Sequence, residues 1–251
     1  MKVLVIGESC KDIFIYGDAK RLSPEAPIPV IEPTHQTENE GMASNVKNNI
    51  EALGVQVDIV TNTKKIKKIR YVDDSYNYIL LRIDENDFVD NITDESFDDV
   101  ELEDYDSIII ADYNKGFLTK EIIKKISENT SCTVFLDTKK KLGDWVSTID
   151  FIKINYLEYK ESKSFIENND WIKEKLIVTR GRFGCDYNGS NYPTKEVTIK
   201  DVAGAGDTFL SGLVYKYVET KSIENSIEFA NKCSTQVVQK RGVSIINKNK
   251  L

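Results

Sequence analysis

The stretch DVAGAGDTFLSG, residues Asp201–Gly212, joins a glycine-rich turn to the beginning of a helical pattern. The apolar residues that follow it at helical spacing are Phe209, Leu210, Leu213, Val214 and Tyr217. The turn is therefore expected at a helix N-terminus, where backbone N–H groups are unpaired and the helix dipole is positive. Glycine lets the backbone come close to an anion at such a place. The pattern predicts a phosphate site, with Asp207 either as a helix cap or as a general base.

Five short apolar runs are typical of the buried strands of a parallel sheet. They are Val3–Gly7, Ser107–Asp112, Thr133–Thr138, Phe151–Asn155 and Leu176–Gly181. Helical patterns separate several runs; in SNVKNNIEALG, for example, Val46, Ile50 and Leu53 share one face. This alternation predicts an α/β fold with a mostly parallel central sheet and helices on both faces. Since ligands of such sheets bind at the carboxyl ends of the strands, we expect the site at that edge.

Two further regions, about residues 13–40 and 66–87, have the short alternating patterns of strands with one solvent-facing side. We expect antiparallel strands that form a small β lid over the edge of the main sheet. A lid of this kind excludes water from a reactive phosphate. The basic segment TKKIKKIR, residues 63–70, is interpreted as a solvated and partly strand-like face.

Composition and charge argue against several classes of function. The 251 residues carry a formal net charge of −7, which disfavours nucleic acid as a partner because its binders present basic faces. The apolar run at the N-terminus is too short for a signal peptide or a membrane span, so we expect a cytoplasmic protein without a membrane partner. Four scattered cysteines predict reduced thiols. The single histidine, His35, is expected at the surface and leaves no basis for a multi-histidine metal site.

At full length, DVAGAGDTFLSG resembles the C-terminal signature of the ribokinase-like sugar kinases, the PfkB family. Other segments follow in the order of that family, and they are VIGESCKDIFIYG, RLSPEAPIPVIEP, EGMASNVKNNIEALG, IRYVDDSYNYILLRIDEND, ADYNKGFLT, FLDTKK, INYLEYK and IVTRGRFG. RLSPEAPIPV is similar to the branch that phosphorylates O1 of D-glycero-D-manno-heptose 7-phosphate. The resemblance implies a ribokinase-like three-layer fold, with residues 1–251 as a single kinase domain that includes the β lid. It also implies ATP and Mg²⁺ as cofactors, with a monovalent cation as a further candidate.

The same resemblance implies roles at the nucleotide end of the site. Asp207 matches the catalytic base of the family. The amides of Ala205, Gly206 and Asp207 match its anion hole, and Gly204 shapes the turn. Asn155 and Glu158 match an N-x-x-E pair that organises nucleotide phosphates and Mg²⁺, the metal being held by Glu158 through water; the spacing also fits a helix capping box. The residues that would border the nucleotide are Thr179, Arg180, Gly181, Gly184 and Asn231. The first four also fit a glycine-rich β-turn, and Asn231 also fits an exposed helix surface.

A second set of residues is implied for the sugar. Asp12 and Asn45 match polar residues that hold sugar hydroxyls, and Gly41 belongs to the glycine pair that precedes Asn45. Asp112 and Lys115 would point into the same cleft. Basic residues are candidates for a distal phosphate, because their donors match phosphate oxygens. These candidates are Arg21, Arg70, Arg82 and Lys115. Each of them also fits an ordinary surface charge.

Three departures from the pattern of the family leave the substrate open. Met42 replaces the second glycine of the pair, Ala203 stands where threonine is usual, and a strand–helix segment of the family is missing after Asn62. The alternatives are therefore a kinase for another sugar, sugar phosphate or nucleoside, and a non-catalytic relative that binds sugar or nucleotide.

Two protein partners are expected beside the small-molecule sugar or sugar phosphate. Exposed strand edges of the lid would be covered if two copies paired as a homodimer. Some heptose kinases are fused to a nucleotidyltransferase with an H-x-G-H site, which a chain with one histidine cannot supply. In a nucleotide-heptose pathway, a separate protein would then carry out the nucleotidyl transfer.

Overall fold

The structure is a computed structural model, and it describes residues 1–93, 96 and 100–251. Its strands are β1 (Lys2–Gly7), β2 (Ser9–Leu22), β3 (Pro29–Met42), β4 (Gln56–Val60), β5 (Ile66–Asp73), β6 (Tyr78–Glu85), β7 (Ser107–Asp112), β8 (Thr133–Thr138), β9 (Phe151–Asn155), β10 (Leu176–Thr179), β11 (Cys185–Tyr187) and β12 (Ser190–Tyr192). Its α-helices are α1 (Ala43–Ala52), α2 (Lys120–Glu128), α3 (Tyr156–Glu167), α4 (Ala205–Thr220) and α5 (Ile223–Val237).

Eight strands form the main sheet, in the order β12-β11-β10-β9-β8-β7-β1-β4. The six strands from β10 to β4 in this order pair in parallel, and β11 and β12 add an antiparallel hairpin at one edge. Parallel pairing brings the carboxyl ends of β1, β7, β8, β9 and β10 to one edge of the sheet. The predicted, mostly parallel sheet is therefore confirmed, and its polar strand ends meet at that edge.

Helices cover both faces of the main sheet, as the alternation of strands and helices predicted. One core contains side chains of α1, α4 and α5 against β1, β7, β8 and β10, and the other contains side chains of α2 and α3 against the opposite face. The face of α1 made by Val46 and Ile50 is fully buried. Burying an aliphatic side chain of this size stabilises the fold by roughly 1.5–3 kcal/mol, so this face fixes α1 on the sheet.

The other four long strands form a separate small sheet, in the order β3-β2-β5-β6. We expected only antiparallel strands here, but β2 and β5 pair in parallel. The parallel pair arises because β4 of the main sheet lies between β3 and β5 in the chain, so that β5 enters the small sheet in the same direction as β2. The strands of the first region extend further than predicted, from Ser9 to Met42, whereas those of the second region, from Ile66 to Glu85, lie within the predicted range.

The end of β10, the cysteines and the single histidine were also predicted from the sequence. The run predicted to extend to Gly181 ends as β10 at Thr179, because Gly181 has a left-handed backbone (φ 56°) that begins a short turn. The four cysteines are free, and His35 is exposed and stacks on Tyr16 with 4.7 Å between ring centroids. Within the described part of the chain, none of the helices combines the length and the apolar character that crossing a membrane requires.

Candidate active site

The glycine-rich turn lies at the beginning of α4, as its sequence predicted. Gly204 precedes the helix with φ 76°, a left-handed conformation that favours glycine. A Cβ atom at this position would lie 2.7 Å from Asn45 Nδ2, so the turn has room only for glycine. The amide of Ala205, which was predicted to belong to the anion hole, instead donates to the carbonyl of Val202 (3.2 Å). Among the described residues, this leaves the amides of Gly206 and Asp207 as the donors of the first turn that lack a backbone acceptor.

Asp207 does not cap the helix, so the cap alternative for this residue is wrong. Its carboxylate instead accepts two hydrogen bonds from other elements: Asn45 Nδ2 donates to Oδ2 (2.9 Å), and the Tyr113 hydroxyl donates to Oδ1. The side chain is buried, and burial raises the pKa of Asp207 above its usual range, while the bonds from Asn45 and Tyr113 act in the opposite direction. A buried carboxylate with these donors has the environment that general bases require.

Asp137 and Lys153 form a buried ion pair beside the turn. They are neighbours in the register of β8 and β9, and Lys153 Nζ lies 2.6 Å from Asp137 Oδ2. A Cβ atom on Gly206 would lie 3.1 Å from the same ammonium, which places the positive charge of Lys153 against the first turn of α4. Burial favours the neutral form of Asp137, but Lys153 and Lys139 outweigh it and hold the pKa of Asp137 below its usual value.

The N-x-x-E pair serves as a capping box of α3 and also belongs to a charged network. The Asn155 side chain accepts from the amides of Leu157 and Glu158, and the Glu158 carboxylate accepts from the Asn155 amide (2.7 Å). Glu158 also pairs with Lys139 Nζ (2.5 Å), which lies 3.8 Å from Asp137 Oδ1. Burial opposes the charge of Lys139, but Asp137 and Glu158 raise its pKa above the usual value. The two predicted functions of the pair are thus structurally compatible.

A cavity of about 720 Å³ opens beside the first turn of α4. Its lining includes the predicted nucleotide residues Thr179, Gly181, Gly184 and Asn231, together with Ala205 and Gly206 of the turn. Asn231 is buried and donates to the carbonyl of Tyr192 (3.0 Å), so the exposed-surface alternative for this residue is wrong. Arg180 does not line the cavity; it pairs with Asp186 and lies over the Tyr156 ring.

One face of the small sheet carries alternating charges, and we call it the charged face. It is made by Asp12, Lys68, Arg70, Arg82 and Asp84, which are matched in the strand register. Arg70 pairs with Asp12 (2.5 Å), and Arg82 pairs with Asp84 through two bonds of 2.7 Å. Lys68 forms no ion pair with a described residue, and its one hydrogen-bond contact is Met42 Sδ at 3.4 Å. Three cations and two carboxylates therefore leave one unpaired positive charge, on a side chain that is only 9% exposed.

The remaining sugar residues fall into two groups. Asn45 contacts Asp207, and Gly41 packs so tightly that a Cβ atom would lie 2.1 Å from Asp12 Oδ2. Asp112 differs from the expectation: its carboxylate is fully buried and bonds to Lys140 (2.6 Å) and to Thr138, so this geometry does not support a direct contact with a sugar.

The other two basic candidates are also paired. Lys115 is paired with Asp87 at 2.5 Å. The side chain of Arg21 is 60% exposed near the end of β2 and lies 3.9 Å from Glu32, as an ordinary surface charge does. The structure therefore keeps Arg70 and Arg82 on the charged face and places Arg21 at the surface.

Sequence reasoning missed several residues of the site. Tyr113 lies between the two candidates of ADYNKG that the sequence analysis selected, and Lys139 lies in FLDTKK. Lys68 belongs to TKKIKKIR, which was interpreted as solvated, but it is buried because it faces Met42 and the Tyr113 ring. Lys153 is an isolated charge within an apolar strand, FIKIN, and this is the signal that could have identified it.

Comparisons with known proteins show the family to which the chain is related. The model of the family described as "pfkB family carbohydrate kinase" matches residues 39–250. The chain is 27% identical over 290 residues to Bifunctional protein HldE of a Nitratiruptor species, and the match covers 97% of this chain and 62% of the relative. It is 28% identical over 298 residues to Bifunctional protein HldE of Helicobacter acinonychis (strain Sheeba), with 97% and 64% covered. The chain thus spans less than two thirds of the length of these relatives.

Solved structures share the fold. Ribokinase from Thermotoga maritima has a TM-score of 0.74 at 15% sequence identity, with 98% of this chain and 96% of that chain covered. Phosphofructokinase-2 from Escherichia coli has a TM-score of 0.75 at 13% identity, with 99% and 96% covered. At such low identities the likeness shows the fold alone, and that fold is the predicted ribokinase-like one.

Proposed function

Because the chain belongs to the pfkB family of carbohydrate kinases, we propose that it transfers the γ-phosphate of ATP to a hydroxyl of a phosphorylated sugar. The observation that carries this proposal is the position of Asp207. This buried carboxylate lies in the first turn of α4, directly after Ala205 and Gly206, which line the large cavity. On its other side it bonds to Tyr113, whose ring lies 5.7 Å from Lys68 Nζ of the charged face. A base at this junction is within reach of a nucleotide and of an acceptor.

The chemistry follows from the groups around Asp207. Its carboxylate takes the proton of the acceptor hydroxyl while that oxygen bonds to the γ-phosphorus. The bond from the γ-phosphorus to the bridging oxygen breaks, and ADP leaves with the electron pair. The free amides of Gly206 and Asp207, together with the Lys153 ammonium, stabilise the negative charge on the phosphoryl group.

The large cavity is the proposed nucleotide site. Its volume of about 720 Å³ lies within the range of small-molecule sites. Apolar side chains of Phe183, Phe209 and Val238 line it and would contact a base, whereas Asn231 and Thr179 supply polar groups. The cavity ends at the first turn of α4, so a nucleotide lying in it would direct its phosphates toward the helix N-terminus.

The residues present fit a magnesium ion that arrives with the nucleotide. Among the residues that the structure describes, no group of three or more His, Cys, Asp or Glu could hold a metal directly. The Oδ1 atom of Asp137 is buried and accepts no hydrogen bond from a residue that the structure describes, and the Lys139 ammonium lies between this atom and Glu158. Carboxylates in this arrangement would hold water molecules of a hydrated ion. When bound, Mg²⁺ would neutralise phosphate charge, and Asp137 and Glu158 would orient it.

The charged face supports an anionic acceptor. A buried ammonium without a counter-charge is costly, and an anionic group on the acceptor would remove that cost. Lys68 supplies this charge, and Arg70 and Arg82 lie beside it on the same face. The similarity of RLSPEAPIPV to the heptose branch makes D-glycero-D-manno-heptose 7-phosphate, phosphorylated at O1, the first substrate to test.

The names of the relatives suggest that a second activity accompanies the proposed kinase activity. Both HldE proteins are described as bifunctional, and the match covers 62% and 64% of their lengths. In a nucleotide-heptose pathway, the phosphorylated product would pass to a nucleotidyltransferase. A coupled assay with and without such an enzyme tests this, and a nucleotide-sugar formed by the chain alone would contradict it.

The test of acceptor class is ADP release with Mg-ATP across a panel of acceptors. The panel contains heptose 7-phosphate, the same sugar without phosphate, fructose 6-phosphate, ribose and adenosine. We expect turnover with a phosphorylated sugar and little with its unphosphorylated form. Preferred turnover of adenosine or ribose would contradict the anionic acceptor and favour the other family substrates. Binding of sugar and ATP without ADP formation would favour the non-catalytic relative.

A matched pair of variants tests the part played by Lys68. Lys68→Met should raise the KM of the phosphorylated acceptor by about tenfold or more, since a charged hydrogen bond contributes roughly 1.5–3 kcal/mol. Lys67→Met is the control. Lys67 directly precedes Lys68 in β5, but its side chain is 42% exposed and pairs with Glu85. Equal KM values for the two variants would show that Lys68 does not bind the acceptor.

A further inference from the structure

Tyr113 contacts Asp207 directly, but the proposed mechanism assigns it no part. It follows β7 in the sequence ADYNKG, and its hydroxyl donates a hydrogen bond to Asp207 Oδ1. Burial, and then the charge of Asp207, raise the pKa of Tyr113 well above its ordinary value. The phenol therefore keeps its proton at neutral pH and acts as a donor.

A buried carboxylate holds the loop that carries Tyr113. Glu8 follows β1 and is completely buried. Its two oxygens accept from three backbone amides of this loop: Tyr113 (2.8 Å), Lys115 (2.9 Å) and Phe117 (3.2 Å). A carboxylate that accepts several backbone N–H groups fixes the path of the loop. The direction of the Tyr113 side chain is thus determined by the main sheet.

Two ammonium groups restrict the ring of Tyr113. Lys68 Nζ lies 5.7 Å and Lys139 Nζ lies 5.6 Å from its centroid, within the range of cation–π attraction. Lys68 belongs to the small sheet, and Lys139 follows β8 of the main sheet. The ring therefore bridges the two sheets, and its hydroxyl has one carboxylate to which it donates.

We infer that Tyr113 is a positioning residue for Asp207: its hydroxyl keeps the carboxylate charged and oriented before the acceptor binds, and Glu8 holds Tyr113 in place for this purpose. The inference rests on the proposed function, because it concerns the same base. Asn45 fixes one carboxylate oxygen, and Tyr113 fixes the other. The acceptor hydroxyl then meets a base whose orientation is already set.

Several titratable groups of the surrounding elements face Asp207 and also affect its ionisation. Asp137 of β8 disfavours the charged form, and Lys153 of β9 favours it. Cys10 of β2 and Lys139 after β8 also interact electrostatically with this carboxylate. None of these groups is altered when the phenol hydroxyl alone is removed, so the change in the ionisation of Asp207 isolates the contribution of Tyr113.

Tyr113→Phe is the test, with Tyr105→Phe as the matched control. Tyr105 also donates its hydroxyl to a carboxylate, Asp58 Oδ2 at 2.9 Å, but Tyr105 precedes β7, whereas Tyr113 follows it, so this pair lies at the other end of that strand and outside the site. A lost hydrogen bond to a charged group should move the acid limb of the kcat/KM profile of Tyr113→Phe to higher pH by about one unit. The acid limb of kcat/KM reports ionisation in the free enzyme, in which the Tyr113 hydroxyl donates to Asp207. Tyr105→Phe should leave the limb unchanged.

Carbon-13 NMR of the aspartate carboxyl groups provides a readout that does not depend on turnover. The Asp207 resonance is identified by its absence in Asp207→Asn, and its titration midpoint should rise in Tyr113→Phe. An unchanged midpoint and acid limb would overturn the inference. Absence of turnover by the wild-type protein on every acceptor would contradict the proposed function, and the NMR midpoint would still decide whether Tyr113 controls the charge of Asp207.

Discussion

At the scale of single residues, the site contains two buried aspartates whose electrostatic environments are opposite. Asp207 accepts hydrogen bonds but forms no ion pair within the described part of the chain, and burial raises its pKa. Asp137 is also buried, but its partners Lys153 and Lys139 outweigh burial and lower its pKa. The charged form of Asp207 therefore opposes folding, whereas the charged form of Asp137 supports it.

Substitution of either aspartate by asparagine should accordingly change stability in opposite directions. The folded pKa of Asp207 is raised, so its favourable contribution exists below the unfolded pKa, near 3.9, and is lost as pH rises through the folded value. Asp207→Asn should therefore be as stable as the wild type, or more stable, at pH 7. Asp137→Asn should lose about 3 kcal/mol, since Lys153 is left buried without its partner.

Thermal unfolding at pH 4 and pH 7 distinguishes the two variants. The advantage of Asp207→Asn should grow between these values. The penalty of Asp137→Asn should change little between these values, because the folded pKa of Asp137 lies below its usual value and its contribution is lost only at lower pH. A Tm of Asp207→Asn clearly below that of the wild type at pH 7 would contradict this account of the base.

At this scale, the polar residues of the site that belong to a local motif could be predicted from the sequence, whereas two buried lysines could not. Asp207, Asn155 and Glu158 could be predicted because the glycine turn and the capping-box spacing mark them. Lys68 and Lys153 sit among residues of ordinary strands, and only the strand register shows which neighbours they face. No local pattern in the sequence encodes that information.

At the scale of elements, the junction between the turn and α4 joins helix geometry to the base. Gly204 has φ 76°, and the space for a side chain there is occupied by Asn45 Nδ2, which in turn donates to Asp207. A methyl group at this position would push Asn45 away from the carboxylate. The turn therefore matters both for the backbone of α4 and for the orientation of the base.

Gly204→Ala should lose stability and activity together. A Cβ atom on this left-handed backbone should lower the free energy of unfolding by roughly 1–2 kcal/mol. Displacement of Asn45 from Asp207 should lower kcat/KM by about tenfold or more. Gly189→Ala is the matched control: its φ is 74°, but nothing lies within 4 Å of the added Cβ. It should lose similar stability with unchanged kinetics. Equal kinetic losses in the two variants would contradict the proposed contact between turn and base.

Element boundaries were predictable where backbone chemistry marks them. The capping residues of α3 follow local rules, and the N-x-x-E spacing of Asn155 and Glu158 predicted them. The parallel pairing of β2 with β5 could not be predicted in this way. It depends on the position of β4, which lies between β3 and β5 in the chain but belongs to the main sheet. Such an order is a property of the whole chain path.

At the scale of the whole molecule, two sheets meet around Asp207 and Tyr113. The main sheet supplies the nucleotide cavity and the buried ion pairs, and the small sheet supplies the charged face. The outer strand β6 of the small sheet exposes Tyr78, Ile79 and Leu81. The homodimer through this edge stays a prediction, and a monomeric mass by light scattering on the intact chain would contradict it.

The general fold could be predicted because both its strand–helix alternation and its motif order are encoded along the chain. Substrate identity could not, since it depends on side chains of several elements that meet only after folding. Arg21 illustrates this: its type suits a phosphate, but its position near the end of β2 places it at the surface beside Glu32.

The central claim is that Asp207 is the base of a sugar kinase, and ADP release by Asp207→Asn tests it most directly. The assay uses Mg-ATP and the phosphorylated acceptor that the wild-type protein turns over, with nucleotide affinity measured in parallel. Loss of a general base should lower kcat by about 10²–10⁴-fold, while ATP binding in the cavity remains. Turnover of Asp207→Asn close to that of the wild type would contradict the account.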